Sequence, residues 1–135
     1  MSKVRFSKKQ IIIVIIVVLF VACGIFINYL NNVKHYQQTV QAMTFSEIDL
    51  SSVPDGVYVG ECDVDFIYAK VQVSIVSGVM SNIDIIEHRN EKGATAEKIV
   101  TDIVEEQKID VDAISGATNS SKVLKKAVEN ALTMQ

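Results

Sequence analysis

Ile67-Tyr-Ala-Lys-Val71-Gln-Val-Ser-Ile75-Val-Ser77-Gly78-Val79 is the stretch whose reading decides the fold. Ile67, Ala69, Val71, Val73 and Ile75 alternate with Tyr68, Lys70, Gln72 and Ser74, the period of a strand with one buried face. Ser77-Gly78 is a turn pair, and Val79 to His88 alternates again through Ile83 and Ile85, so the chain doubles back antiparallel. Upstream, Val57 to Glu61 supplies another strand, which completes a meander whose apolar face needs cover. Downstream, Ala96, Ile99, Val100, Ile103 and Val104 recur at helical spacing. Val123, Leu124, Ala127, Val128, Ala131 and Leu132 do the same within a helix expected from Ser121 to Leu132. The expected fold class is α+β: a small antiparallel sheet covered by two helices, preceded by one N-terminal transmembrane helix.

That first helix is legible from composition. Ile11 to Ile27 consists of Ile, Val, Leu and Phe except at Ala22, Cys23 and Gly24, and with Asn28-Tyr-Leu30 it reaches roughly 30 Å. Lys3, Arg5, Lys8 and Lys9 precede it and only Lys34 follows closely, so the basic end is expected to stay cytoplasmic and the remainder to lie outside as a single-pass protein of the cell membrane. Two rival readings export the domain equally. A cleaved signal peptide would need a shorter apolar run and a small-residue cleavage site. A lipoprotein reading takes Leu19-Phe-Val-Ala22-Cys23 as a lipobox, against which Gly24-Ile-Phe-Ile27 continues the apolar run. The expected organisation is a basic leader at 1–10, an anchor at 11–30, a stalk and linker at 31–53, and one globular domain at 54–135. Asn31 to Met43 continues the helix as the stalk, and Thr44 to Pro54 links it to the domain.

Charge narrows the partners. All acids follow the apolar run, and setting aside the four leading cations leaves nine Lys and Arg against 16 Asp and Glu, a net −7. Such a surface argues against nucleic acid and against anionic lipid headgroups. Cys23 lies in the apolar run and Cys62 in an expected strand, so they make no disulfide framework, and Cys62 reads as a small core residue. His35 and His88 are the chain's histidines, and with no Cys pair they make no metal constellation. The chain also has no Gly-x-Ser-x-Gly elbow, P-loop or Gly-x-Gly-x-x-Gly turn.

The stretch that carries chemistry is Asp112-Ala-Ile-Ser115-Gly116-Ala117-Thr118. Ile109-Asp-Val-Asp112 reads as a short strand, so strand, small-residue turn and helix follow one another. The first N–H groups of such a helix lack internal partners and carry the positive end of its dipole, which stabilises an anion there. Ser115, Thr118, Ser120 and Ser121 all offer hydroxyls, and spacing does not choose among them. The plainer alternative is a loop with a helix cap, because Asn119, Ser120 and Ser121 are all good N-cap residues.

Around these residues the chain resembles the FMN-binding domain family, which includes flavin-bearing subunits of the sodium-pumping quinone reductase and of its ferredoxin-linked relative. Asp55-Gly-Val-Tyr58-Val-Gly60 is similar to the family's opening Asp-Gly-x-Tyr-x-Gly. Val111-Asp112-Ala-Ile-Ser-Gly-Ala-Thr118-Asn-Ser-Ser121-Lys with Ala127-Val-Glu-Asn-Ala-Leu132 is similar to its closing signature. The resemblance spans Pro54 to Leu132. It implies FMN as cofactor, joined by a flavin transferase through a phosphoester to Thr118, with Ser115, Gly116, Ala117, Asn119 and Ser120 forming the cofactor turn. This chain departs from many members after the third strand, where His88-Arg-Asn-Glu-Lys-Gly93 replaces Thr-Pro and a Gly-rich turn.

The resulting expectation is a membrane-anchored extracytoplasmic flavoprotein domain in electron transfer, a carrier rather than a complete enzyme. Its expected partners are the transferase during maturation and a membrane redox partner afterwards. The competing expectation is a non-redox sensor or interaction module that binds FMN reversibly or not at all. Phe66 and Tyr68 are candidates to stack on a flavin ring, though aromatics in strands more often serve as core or cross-strand partners. His88 is a candidate to contact the flavin or move protons, but beside Arg89 and Glu87 at a strand end it reads first as a solvated surface histidine. Asp112 is a candidate for transferase recognition or a strand end, and Asp55-Gly56 is read as a turn.

Overall fold

The computed structural model describes residues 7–90 and 93–134. Two compact units divide the chain, Met1–His35 and Tyr36–Gln135. The first holds most of helix α1, Lys8–Gln41, which is long and apolar enough to cross a membrane. Its apolar side chains from Ile11 to Leu30 are exposed, with Phe20 at 80%. Exposed aliphatic surface on that scale suits lipid as solvent, because a helix satisfies its backbone internally there.

In the second unit, β1 (Gly56–Asp63), β2 (Tyr68–Val76) and β3 (Val79–Arg89) form an antiparallel sheet in the order β1-β2-β3. Ala69, Val71, Val73 and Ile75 are buried on β2, and the residues between them are half-buried. Ser77 and Gly78 both take positive φ, 54° and 74°, the twist of a two-residue type I′ hairpin turn. Asp55 Oδ1 accepts the Ser77 N–H at 2.7 Å, so the Asp55-Gly56 bend before β1 also secures the next hairpin.

Helices α2 (Ile99–Glu106) and α3 (Thr118–Thr133) cover one face of the sheet. α2 packs on β3, and α3 lies across β1 and β2. A 3₁₀ turn, Ala94–Lys98, leads into α2, so the Ala96 to Val104 stripe begins as 3₁₀ and continues as α-helix. Gly60 explains the close seating of α3: a Cβ at this position would overlap the backbone of Ala127 and Ala131. No side chain separates strand from helix at that crossing.

The expected stalk and linker also enter the core. Val40 is fully buried, and Tyr36, Met43, Phe45, Ile48, Leu50 and Val53 pack against the central cluster. Polar groups of α3 hold this segment. Ser46 N–H donates to Glu129 Oε1 at 2.9 Å, Lys126 Nζ donates to Thr44 O at 3.2 Å, and Lys125 Nζ lies 4.2 Å from the Phe45 ring centre.

Three local expectations are corrected. Ile109 to Asp112 is not a strand; Ile109 and Val111 alternate inward, but Lys125 Nζ bonds Val111 O and Asp110 Oδ1, each at 2.8 Å, in place of a ladder partner. Helix α3 begins at Thr118 and not at Ser121, so Asn119, Ser120 and Ser121 lie inside it and none is its N-cap. His88 is not a surface histidine. The ladder shifts register between Lys70 and Val71 and leaves Ile86 as the extra residue of a bulge. The bulge reverses the side-chain parity, which sets Glu87 opposite Lys70 and turns His88 inward beside Ala69. The His88 side chain is 1% exposed, with Nδ1 3.0 Å from Glu97 Oε1. Asn90 Nδ2 also lies 3.3 Å from Nδ1, and Nε2 has no partner among the described residues. Cys62 sits on the same buried face, where burial pushes its thiol up to about 11; it is a core residue and not a nucleophile at neutral pH.

Glu129 links stability to pH. Its side chain is 6% exposed, and burial works to raise its pKa, but the hydrogen bonds from Lys126 and from Ser46 outweigh burial and hold it below the ordinary 4.5. A depressed carboxyl contributes stability above its unfolded value and loses it as pH falls through the folded one. Glu129→Gln should therefore cost about 1–2 kcal/mol at pH 7 by urea unfolding. The gap to the parent protein should close below pH 4.5; a gap that stays constant down to pH 3 would deny the ion pair this role.

Candidate functional site

The site is assembled at the start of α3. Ile109 and Val111 are buried and fix the approaching segment, and the Ile114 N–H donates to Ser121 Oγ at 3.0 Å. The Ala117 N–H then closes a tight turn on Ile114 O at 3.0 Å. Gly116 takes φ 78° at the third position of that turn, where a side chain is disfavoured, and its surroundings are open. The helix N-cap is Ala117, which has no side-chain oxygen to offer, and no side-chain hydrogen bond caps this end. The first helical bond runs from Ser121 N to Ala117 O, so the N–H groups of Thr118, Asn119 and Ser120 precede the ladder. No acidic side chain occupies the first turn. An anion here would meet donors without a partner among the described residues and the positive end of a 16-residue helix.

These residues open onto a cavity of about 440 Å³ lined by Tyr36, Phe66, Ile67, Gly93, Gly116, Ala117, Thr118, Asn119 and Ser120. The volume falls in the usual range for small-molecule sites. Gly93 and Ser120 meet so closely that a Cβ on Gly93 would overlap the serine side chain, which draws the segment after β3 against the first turn of α3.

The four hydroxyls separate clearly. Ser121 is fully buried and its Oγ accepts the Ile114 N–H; Ser120 is 4% exposed and packed against Gly93. Ser115 is exposed but does not line the cavity, whereas Thr118 is exposed and does. Gly116, Ala117, Thr118, Asn119 and Ser120 are thus brought together, and Ser115 stands outside them on the turn. Phe66 lies before β2 begins and lines the cavity. Tyr68 does not line it; its hydroxyl donates to Glu61 Oε2 at 2.8 Å and the Arg89 guanidinium lies 5.5 Å from its ring centre. Sequence reasoning assigned no site role to Tyr36 or Gly93. Tyr36 carries no local signal, because its role depends on the stalk folding back onto the domain. Gly93 closes the stretch in which the chain departs from the family pattern.

Residues 66–133, half of the chain, match the family model described as the FMN-binding domain. The match contains the closing signature, and Asp55 to Gly60 precedes it. No curated protein and no solved structure matches the chain. The residues fit an FMN. The uncapped helix start suits a phosphate, the cavity admits a small molecule, and its aromatic and aliphatic side chains suit a flat ring.

The Gly93 and Ser120 contact can be measured as a coupling. Gly93→Ala should destabilise the domain by about 1–3 kcal/mol through overpacking. Adding Ser120→Ala removes the overlapping oxygen but not the Cβ, so the double variant should recover part of that loss in urea unfolding. Strictly additive costs would show that the two residues do not press on each other.

Proposed function

Because the chain belongs to the FMN-binding domain family, with FMN as its cofactor, we propose that it is a membrane-anchored, extracytoplasmic electron carrier holding FMN as a phosphoester on Thr118. One observation carries this reading: Thr118 is the exposed hydroxyl-bearing residue that lines the cavity at an uncapped helix start, while Ser120 and Ser121 are buried and Ser115 lies outside. A flavin transferase would form the P–O bond to Thr118 Oγ as a phosphoanhydride in the donor flavin nucleotide breaks. The hydroxyl proton and the other half of the donor then leave. Gly116 and Ala117 leave the approach unblocked, and the N–H groups of Thr118, Asn119 and Ser120 steady the phosphate.

Bound flavin supplies one- and two-electron chemistry, and the protein supplies position, shielding and tuning. The described cavity residues hold and shield, which suits a carrier passing electrons from a membrane redox partner to an acceptor outside. The apolar helix supports anchoring, and Lys3, Arg5, Lys8 and Lys9 before it support a cytoplasmic N-terminus.

Protein co-expressed with a flavin transferase and exported should gain one FMN increment in intact mass and keep flavin fluorescence after denaturation. Thr118→Val nearly preserves shape and should abolish the increment, while Ser115→Ala and Ser120→Ala retain it. An increment that survives Thr118→Val would move the attachment elsewhere.

Orientation is tested in spheroplasts. External protease should remove the domain and leave a membrane fragment containing Ile11 to Leu30; a domain protected until lysis would reverse the proposed orientation.

A further inference from the structure

Tyr36 lies on the last turns of α1, and the sequence gives it the look of a stalk residue between His35 and Gln37. It is half-buried where both neighbours are exposed, and Val40, one turn further along the same face, is fully buried. This end of α1 is therefore fixed on the domain by its own apolar face. Tyr36 meets Phe66 with ring centres 4.8 Å apart and planes tilted by 42°.

Phe66 reaches that position from a tightly constrained loop. Val64 N–H donates to Ile67 O at 3.0 Å, and Phe66 N–H donates to Val64 O at 2.8 Å. Asp65 adopts a left-handed φ of 65°, and its N–H donates to Asp63 Oδ1 at 3.0 Å. Ordered in this way from both sides, the two rings line the same cavity as Thr118.

We infer that Tyr36 and Phe66 form the wall against which the isoalloxazine ring of bound FMN lies, so the end of the anchor helix is part of the flavin site. The inference rests on the reading that FMN occupies the cavity beside Thr118. With the phosphate at the helix start, the ring has to rest on the remaining lining. Apart from Ile67, that lining consists of the two aromatics and small or polar residues. Flat π systems favour offset contact with aromatic faces, and rings held by packing lose little freedom when a ligand arrives. Tyr36 adds a property that Phe66 lacks. A phenol in contact with an excited flavin lends it one electron, which returns in the dark, so emission is lost with no net oxidation.

The test uses the full chain in bilayer nanodiscs, as parent protein, Tyr36→Phe and Tyr36→Leu, each normalised to flavin content. Intact mass first reports whether FMN is covalently attached. The parent should show a short fluorescence lifetime that lengthens severalfold on denaturation. Tyr36→Phe should lengthen the native lifetime severalfold while keeping the ring shielded from iodide as in the parent. Tyr36→Leu should lengthen the lifetime and also expose the ring. Equal native lifetimes in the parent and Tyr36→Phe at equal flavin content overturn the inference, whether or not the leucine variant folds. If the parent carries no FMN adduct, covalent attachment fails separately, and free FMN is titrated into the same samples. Quenching by the parent that is absent in Tyr36→Phe then supports the aromatic wall, and no difference between the two overturns it.

Discussion

The backbone contact between Gly60 and α3 is the constraint on which the rest of the domain depends. Packed layers are normally held apart by the side chains between them, about 10 Å for two stacked sheets. Here a missing Cβ lets the Ala127 to Ala131 turn rest directly on β1, and small residues at Ala127 and Ala131 serve the same end from the helix side. The contact fixes the height of α3 on the sheet. Gly93 against Ser120 provides a second close approach about two turns N-terminal to Ala127. Two points define a line, so the start of the helix, and Thr118 with it, is set by packing and not by a cap.

Once α3 is seated, its polar side chains collect the parts of the chain that have no regular structure. Lys125, 5% exposed, clamps the segment at Asp110 and Val111; Glu129 and Lys126 hold Ser46 and Thr44. Buried charges are costly unless paired and hydrogen-bonded, and these are. The arrangement follows from position: a helix laid this close to the sheet has flanks that face neighbouring loops, where a long amphipathic side chain can bury its stem and still reach a carbonyl. The same helix therefore positions Thr118 and fastens the segment that follows α1.

Much of this was readable from residues. The alternation from Ala69 to Ile75, the Ser77-Gly78 turn and the stripes of α2 and α3 are local patterns with local causes, and the sheet and its two helices follow from them. What was not readable depended on partners distant in sequence. Ile109 and Val111 alternate as a strand does, yet Lys125, from a helix not yet formed at that point of the chain, takes the carbonyl a neighbouring strand would have used. His88 lost its expected exposure to one extra residue, Ile86; a bulge changes parity without changing composition, although the adjacent pair Ile85-Ile86 is where strict alternation already fails. At the site, sequence spacing left four hydroxyls equal. Burial sets Ser120 and Ser121 apart, and the cavity lining divides Thr118 from Ser115; both are properties of the assembled fold.

The electrostatics of the site bear on why a covalent link suits the proposed role. The chain beyond the apolar run carries a net charge of −7 and would have to retain a phosphate monoester, itself an anion. Exposed charges more than about 8 Å away are largely screened at physiological ionic strength, so the amides at Thr118, Asn119 and Ser120, which precede the helical ladder, dominate locally. A helix terminus of this kind contributes about 0.3–1 kcal/mol at an exposed position. That is less than tenfold in affinity, since tenfold requires about 1.4 kcal/mol. Reversible retention would then fall mainly to the ring and its contacts, and in the proposed extracytoplasmic orientation the site would be open to dilution. A phosphoester removes that requirement. The helix start is left to orient the phosphate, and the cavity wall can be shaped for shielding and electron flow instead of for affinity.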